Sequence, residues 1–258
     1  MLIQMSGRAE KAKYRELPRP KGGPRTVISL EAAGDMSLRH LPERESFLRS
    51  LGIEPGRAVM LHQVHSRTVL TVGRAPGSAE AAPPDLAWPA PRPASADDLP
   101  DGDGLITAER EAALCITVAD CLPIVLHDAG SGAFGLLHSG WKGTGIAADG
   151  CTLLEARCGS RPSALTAVLG PCIGPCCYDV PAERAELFRR RFAGAAVHRR
   201  QGKHYLDLRA ANRRLLQAAG VGTVLSDAAC TSCTPELGSY RRDGPARYTL
   251  MLVVSGYF

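Results

Sequence analysis

The sequence predicts an α+β fold with mixed sheets in a single domain, and three observations carry that prediction. Short apolar runs at 114–118, 122–126 and 133–137 follow one another with no helical stretch between them, so neighbouring strands are joined directly. Helical spacing appears later, at 146–157, 181–192 and 208–219. The chain has 258 residues, 45% of them hydrophobic, which is enough to bury one large core. A doubly wound parallel sheet would instead alternate strand and helix throughout.

Taken in order, each element rests on a local signal. Residues 1–25 are polar and rich in Lys, Arg, Pro and Gly, and are expected to form a loose lead-in to a domain at 26–258. An amphipathic segment at 41–51 and a strand at 58–64 follow. The Pro/Ala-rich stretch at 73–98 offers no packed element and reads as a surface insertion. Asp103-Gly104 suits a turn into the strand Leu105-Ile106-Thr107. The strand at 133–137 runs up to His138, and a glycine-rich turn at 140–145 precedes the helix at 146–157. A strand at 165–169 leads into Gly170-Pro171-Cys172-Ile173-Gly174-Pro175. Pro181 fits the first turn of a helix and Gly220 stops the last one. Strands at 223–225 and 248–254 complete the chain.

Composition excludes several classes. The formal charge is +5, no Lys/Arg tract is long, and aromatics are 5%, so no nucleic-acid platform is expected. No apolar stretch reaches membrane-spanning length, and the N-terminus lacks the apolar core of a signal peptide. Nine cysteines, an odd number without an export signal, point to reduced thiols in the cytoplasm rather than a disulfide framework. A monomer or weak homo-oligomer is expected.

Three segments offer chemistry. His62-Gln63-Val64-His65, Ala119-Asp120-Cys121-Leu122-Pro123 and His138-Ser139-Gly140-Trp141 each end or interrupt an apolar run, where scaffolds present functional groups. Imidazole, thiolate and imidazole form the ligand set of an open zinc site. Spacing alone leaves the set undecided, since a lone histidine is usually structural and a free cysteine usually buried. Asp103 and Asp120 are acids that could orient ligating imidazoles, or simply serve turns. The loop Gly140-Trp141-Lys142-Gly143-Thr144-Gly145 suits an anion before a helix, or a plain strand-to-helix turn. Cys172, Cys176 and Cys177 with Cys230 and Cys233 permit a four-cysteine zinc site, but the surrounding prolines and glycines favour a tight loop with incidental thiols. Arg241 and Arg242 offer bidentate phosphate contacts, or solvate a hairpin.

Together these strings resemble a known family. Gln63-Val64-His65, Asp103-Gly104-Leu105-Ile106-Thr107, Thr117 to Pro123 and His138 to Gly143 are similar to the laccase-domain or polyphenol oxidase proteins. Leu169 to Tyr178, Leu206-Asp207-Leu208-Arg209, Cys230-Thr231 and Ser239-Tyr240-Arg241-Arg242-Asp243 extend the match in order. Members of that family are described as purine nucleoside phosphorylases and some as peptidoglycan editing factors. The resemblance implies two packed mixed β-sheets with flanking helices, and Zn²⁺ held by His65, Cys121 and His138. It implies phosphorolysis of adenosine, inosine, guanosine and methylthioadenosine, with adenosine deamination.

Within that expectation, Cys121 and His138 are the catalytic centre, Asp120 and His62 the proton carriers, and Gln63, Lys142, Arg241 and Arg242 the substrate contacts. Purine nucleosides and phosphate are the expected partners, with no nucleic acid and no membrane. An open zinc site activates water near neutral pH, which suits deamination. Cys121 with His138 as nucleophile and base would instead make a thiol hydrolase or a peptidoglycan-precursor editing enzyme. One departure stands out: Glu31 occupies the place of an arginine in the family's Thr-Arg-x-Gly-Gly loop, and His40-Leu41 stands near its Asn-Leu pair. A glutamate there is expected to repel phosphate, and its extreme consequence is a binding protein that has lost the phosphate site.

Overall fold

The computed structural model describes residues 12–74, 84–89, 96–192, 194 and 196–258. In chain order the elements are β1 (Tyr14–Glu16), β2 (Arg25–Ser29), α1 (Leu41–Ser50), β3 (Ala58–Val59), β4 (Val69–Gly73), β5 (Leu86–Ala87), β6 (Gly104–Thr107), β7 (Ala113–Val118), β8 (Leu122–Asp128) and β9 (Phe134–Ser139). There follow α2 (Ile146–Cys158), β10 (Leu165–Leu169), β11 (Asp179–Val180), α3 (Ala182–Phe192), β12 (Val197–Arg200), β13 (Lys203–Leu206), α4 (Leu208–Ala218), β14 (Thr223–Ser226), α5 (Tyr240–Asp243) and β15 (Met251–Gly256).

Two mixed sheets carry the fold. One has the order β1-β2-β15-β7-β3, the other β14-β10-β8-β9-β6-β4-β5. The parallel pairs are β3 with β7, β10 with β14, and β4 with β5 and β6. A small antiparallel sheet, β11-β13-β12, adds a third that the sequence did not suggest.

Alternation along the strands assigns the faces. Leu114, Ile116 and Val118 of β7 meet Phe134 and Leu136 of β9 and Val125 of β8 in a core between the large sheets. Ala113 and Cys115 turn the other way, onto Phe47 and Leu48 of α1. Leu122, Ile124 and Leu126 of β8 pack under α2, α3 and α4 with Leu154, Phe188 and Leu216. The layers are therefore helix, sheet, sheet, helices. Because β7 and β8 belong to different sheets, the link at 119–121 crosses from one to the other, as does the segment at 60–68 between β3 and β4.

Local chemistry fixes the boundaries. Asp207 caps α4, its side chain accepting from the Ala210 N–H at 2.9 Å, and Ser239 caps α5. Gly159 closes α2 in the left-handed region.

Several boundaries differ from expectation. The described part of the lead-in is not loose: Tyr14–Glu16 pairs with β2, and Leu17 is buried. The strand at 58–64 stops at Val59, and residues beyond it form a loop. Most of the 73–98 insertion lies outside the described residues, but Leu86–Ala87 pairs with β4. Asp85 anchors it by accepting from the Thr71 N–H and hydroxyl, both at 2.7 Å, and Trp88 is buried beside it. The last strand begins at Met251 rather than 248. Among the described residues no helix is long and apolar enough to cross a membrane.

Candidate metal centre

His65, Cys121 and His138 come from three segments and converge, with ligand atoms all within 4.8 Å of one another. His138 lies near the end of β9, inside the strand rather than after it. Cys121 immediately precedes β8 and follows Asp120, whose φ of 81° turns the chain between the sheets. His65 sits in the loop after β3 with φ 60°. The His65 and His138 rings stand edge to face, 4.9 Å apart. Gly140 leaves the space they need: a Cβ there would lie 3.0 Å from Cys121 Sγ and 3.1 Å from His65 Cδ2.

Asp103 organises the group. It is fully buried just before β6. Its Oδ1 accepts the His65 N–H at 3.1 Å and contacts His138 Nδ1 at 2.8 Å. Its Oδ2 accepts the Ser66 N–H at 2.5 Å and hydroxyl at 2.8 Å. Burial favours the neutral acid, but the His138 ring and the Ser66 donors hold it below the usual carboxylate range. The bond to Nδ1 leaves Nε2 of His138 as the ring atom free to ligate.

Burial likewise opposes the Cys121 thiolate, yet the His138 and His65 imidazoles draw its pKa down to about 6. Burial also opposes the His138 charge, but the Cys121 thiolate and Asp103 raise its pKa. The result is a thiolate beside an imidazolium whose proton a metal can displace. Two imidazoles, an accessible thiolate and an orienting carboxylate fit a metal ion, and the site could hold one.

The site opens into a cavity of about 510 Å³. Trp141, Tyr178, Tyr240 and Tyr248 give it aromatic walls, with Ile173, Leu208 and Leu250 between them. Arg184, from the first turn of α3, lies 4.2 Å over the Trp141 ring and faces the cavity. Burial and the nearby Cys121 push the Tyr178 hydroxyl up to about 12, so it stays protonated.

The other expected site residues divide. Gln63 lines the cavity, but its amide is engaged with Thr117: Nε2 donates to the carbonyl at 2.9 Å and Oε1 accepts from the N–H at 2.7 Å. Asp120 also lines it, with both oxygens occupied. They accept from the Thr231 and Ser239 hydroxyls at 2.6 and 2.7 Å and the Arg241 N–H at 2.7 Å. Asp120 is thus a clamp between loops rather than a free proton carrier.

Arg241 lines the cavity while its guanidinium pairs with Asp179 and the Cys177 carbonyl. His62 is not among the lining residues: its Nδ1 contacts exposed Asp101 at 2.8 Å. Lys142 is exposed, with Nζ 5.8 Å from its neighbour Trp141's ring, outside the cavity lining.

Arg242 also misses the lining. It pairs with Asp243 and, at 2.6 Å, with Glu31, and donates to three carbonyls. Glu31 is therefore paired with Arg242 outside the cavity lining, not placed to face a phosphate in it. The glycine-rich turn is no anion cradle either, because Arg67 covers Gly145 and forks onto Asp149 at 2.7 and 2.6 Å.

Sequence reasoning quoted Trp141 within the His138 segment without giving it a role, and missed Arg184, Tyr178, Tyr240 and Tyr248 as cavity residues. Tyr178 and Tyr240 lie within motif strings, but Arg184 has only a helical surface pattern around it.

A layered two-sheet α+β domain with a His-Cys-His cluster where the sheets are linked defines the laccase-like class. Residues 30–254 match the family described as multi-copper polyphenol oxidoreductase laccase, and the chain belongs to that family. It is 33% identical over 223 residues to a protein of Deinococcus radiodurans named purine nucleoside phosphorylase, covering 86% of this chain and 79% of that one. A Corynebacterium glutamicum protein of the same name is 31% identical over 75% of this chain and 72% of its own length. The crystal structure of YlmD from Geobacillus stearothermophilus superposes with a TM-score of 0.78 at 27% identity, covering 95% of this chain and 97% of that one.

Proposed function

We propose that this protein is a zinc-dependent purine nucleoside phosphorylase acting on adenosine, inosine, guanosine and methylthioadenosine, and that the same site deaminates adenosine. The relatives' name supports the reaction class. The observation that carries the reading is one cavity that joins a His-Cys-His floor, aromatic walls and the Arg184 guanidinium. The aromatic faces suit a purine ring. Arg184 is the phosphate holder we assign, since Lys142 and Arg242 lie outside the cavity and Arg241 is committed to Asp179.

In phosphorolysis a phosphate oxygen bonds to C1′ as the N9–C1′ bond breaks, and the electron pair leaves with the base. A proton delivered to the base ring completes the step. Tyr178, held protonated in the wall, is the donor available there. Zinc, when bound, supplies a Lewis acid and a means of activating water. Borderline donors favour zinc. His65, Cys121 and His138 would hold it, an imidazole and thiolate set that suits zinc.

Incubation with adenosine, with and without phosphate, tests the reading. Adenine formed only with phosphate is the expected phosphorolysis product, and inosine formed without phosphate the deamination product. Arg184→Ala should raise the KM for phosphate roughly 10–100-fold, the loss of a charged hydrogen-bond donor. Absence of both products from metal-replete protein would overturn the proposal.

The depressed Cys121 thiol beside His138 supports a second reading, a thiol hydrolase of the amidase or peptidoglycan-precursor editing kind. Activity that persists in chelator and is abolished by iodoacetamide would favour it. Loss in chelator and rescue by zinc would exclude it.

A further inference from the structure

A second sulfur cluster lies beside the cavity, and the mechanism above does not use it. Cys177 and Cys176 come from the loop after β10, and Cys230 and Cys233 from the segment after β14. Their four Sγ atoms lie within 4.8 Å of one another. Cys233 Sγ is 3.3 Å from Cys177 Sγ and 3.6 Å from Cys176 Sγ. A disulfide needs about 2.05 Å, and these cysteines are free. A tetrahedral zinc with Zn–S bonds of about 2.3 Å sets its sulfurs about 3.8 Å apart. The two closest separations fall a few tenths of an ångström short of that spacing, and all lie within 4.8 Å.

The surroundings are those of a ligand set. The two segments already run side by side, bridged at Cys172 and Cys230, with the Thr231 N–H donating to the Cys172 carbonyl at 3.1 Å. The Gly174 N–H donates to Cys230 Sγ at 3.2 Å, a bond that stabilises a thiolate. Gly174 permits it: a Cβ there would lie 3.2 Å from Cys176 Sγ and 3.3 Å from Cys230 Cβ. Four thiolates around a divalent ion leave a double negative charge. Three guanidiniums stand on the same loops: Arg200 on the Pro175 carbonyl, Arg209 on the Ala229 carbonyl at 2.8 Å, and Arg241 on the Cys177 carbonyl at 3.0 Å. Arg241 is already paired with Asp179, so Arg200 and Arg209 are the charges that offset the cluster. Cys176 and Cys233 are exposed, so an ion can enter from solvent.

We propose that Cys176, Cys177, Cys230 and Cys233 bind one zinc ion as a structural site that fastens two walls of the cavity together. Each thiol gives up its proton as the four Zn–S bonds form. The fastened loops carry Tyr178, and they carry Thr231, which holds Asp120. The ion would therefore set the shape of the nucleoside cavity without touching its ligand. Loops that read in the sequence as incidental thiols become one folded unit.

The test uses the full chain with Cys121→Ala, which removes the His-Cys-His site. That variant, purified reduced and zinc-replete, should retain one equivalent of zinc. Exchange for Co²⁺ should give the strong sulfur-to-cobalt charge-transfer absorption of a tetrahedral thiolate site. Adding Cys230→Ser and Cys233→Ser should remove both the ion and the band. On wild-type protein, alkylation with peptide mapping should find the four cysteines protected until chelator is added, which decides the matter even if the variants fail to fold. Full alkylation of the four thiols in zinc-replete wild type overturns the proposal. So does a Cys121→Ala protein without metal, bound Co²⁺ without the sulfur band, or a Cys177–Cys233 disulfide in reduced protein.

Discussion

Asp103 and Asp120 each adjoin the metal centre, and their bonds give them different roles. Asp103 orients His138 and the His65 loop, so Asp103→Asn should weaken metal binding roughly 10–100-fold, the range for carboxylates behind ligating imidazoles. Competition with a chromophoric chelator measures it, and an unchanged affinity would show that Asp103 only shapes the turn. Cys121 makes a pH prediction. Its pKa in the folded chain lies below the ordinary thiol value, so the thiolate persists down to about 6 and is lost as pH falls further. Alkylation of Cys121 in metal-free protein should follow that midpoint, read by peptide mass spectrometry. Cys115, Cys151 and Cys172, pushed up to about 12 by burial, should stay unmodified across the same range. A Cys121 midpoint near the ordinary thiol value would contradict the ion pair with His138. The sequence pointed to His65, Cys121 and His138 through motif strings. It ranked His65 above His62 by strand alternation, although the expected strand through 58–64 stops at Val59 and both rings sit in a loop.

At the scale of elements, the turn between β9 and α2 presses on the His65 loop. A Cβ on Gly143 would sit 2.5 Å from the Ser66 carbonyl oxygen, a backbone atom that cannot swing aside. Gly143→Ala should therefore shift residues 65–66, cost about 1–3 kcal/mol by overpacking, and lower metal occupancy with the helices intact. Circular dichroism beside elemental analysis checks both halves, and full occupancy at wild-type stability would refute the contact. Elements with apolar runs or helical spacing were legible: α1, α2, α3, α4, β7, β8 and β10 fall where the pattern put them. Several that hid are short or polar, although β2 and β4, with five residues each, also went unread. Tyr14–Glu16 is polar, β5 has two residues, and β12 and β13 carry Arg, Lys and His, with β12 mostly exposed. Burial leaves no trace in the sequence where only one edge of a strand is used.

For the molecule as a whole, layering was legible only as α+β. Which strands belong to which sheet depends on links such as 119–121, whose composition does not reveal that they change sheet. That feature has a mechanical consequence. His65 and Cys121 ride on the two threads that stitch one sheet to the other, while His138 is fixed in the seven-stranded sheet. The metal centre therefore works as a gauge of the gap between sheets: if they slide or close, donors on the threads move relative to the donor in the fabric. Leu136→Ala hollows the layer between the sheets, and Leu48→Ala hollows the layer under α1. Each should cost about 2–5 kcal/mol. Only the first should also loosen the metal, although neither residue touches it, and equal metal affinity in two equally destabilised proteins would show that the seam is slack.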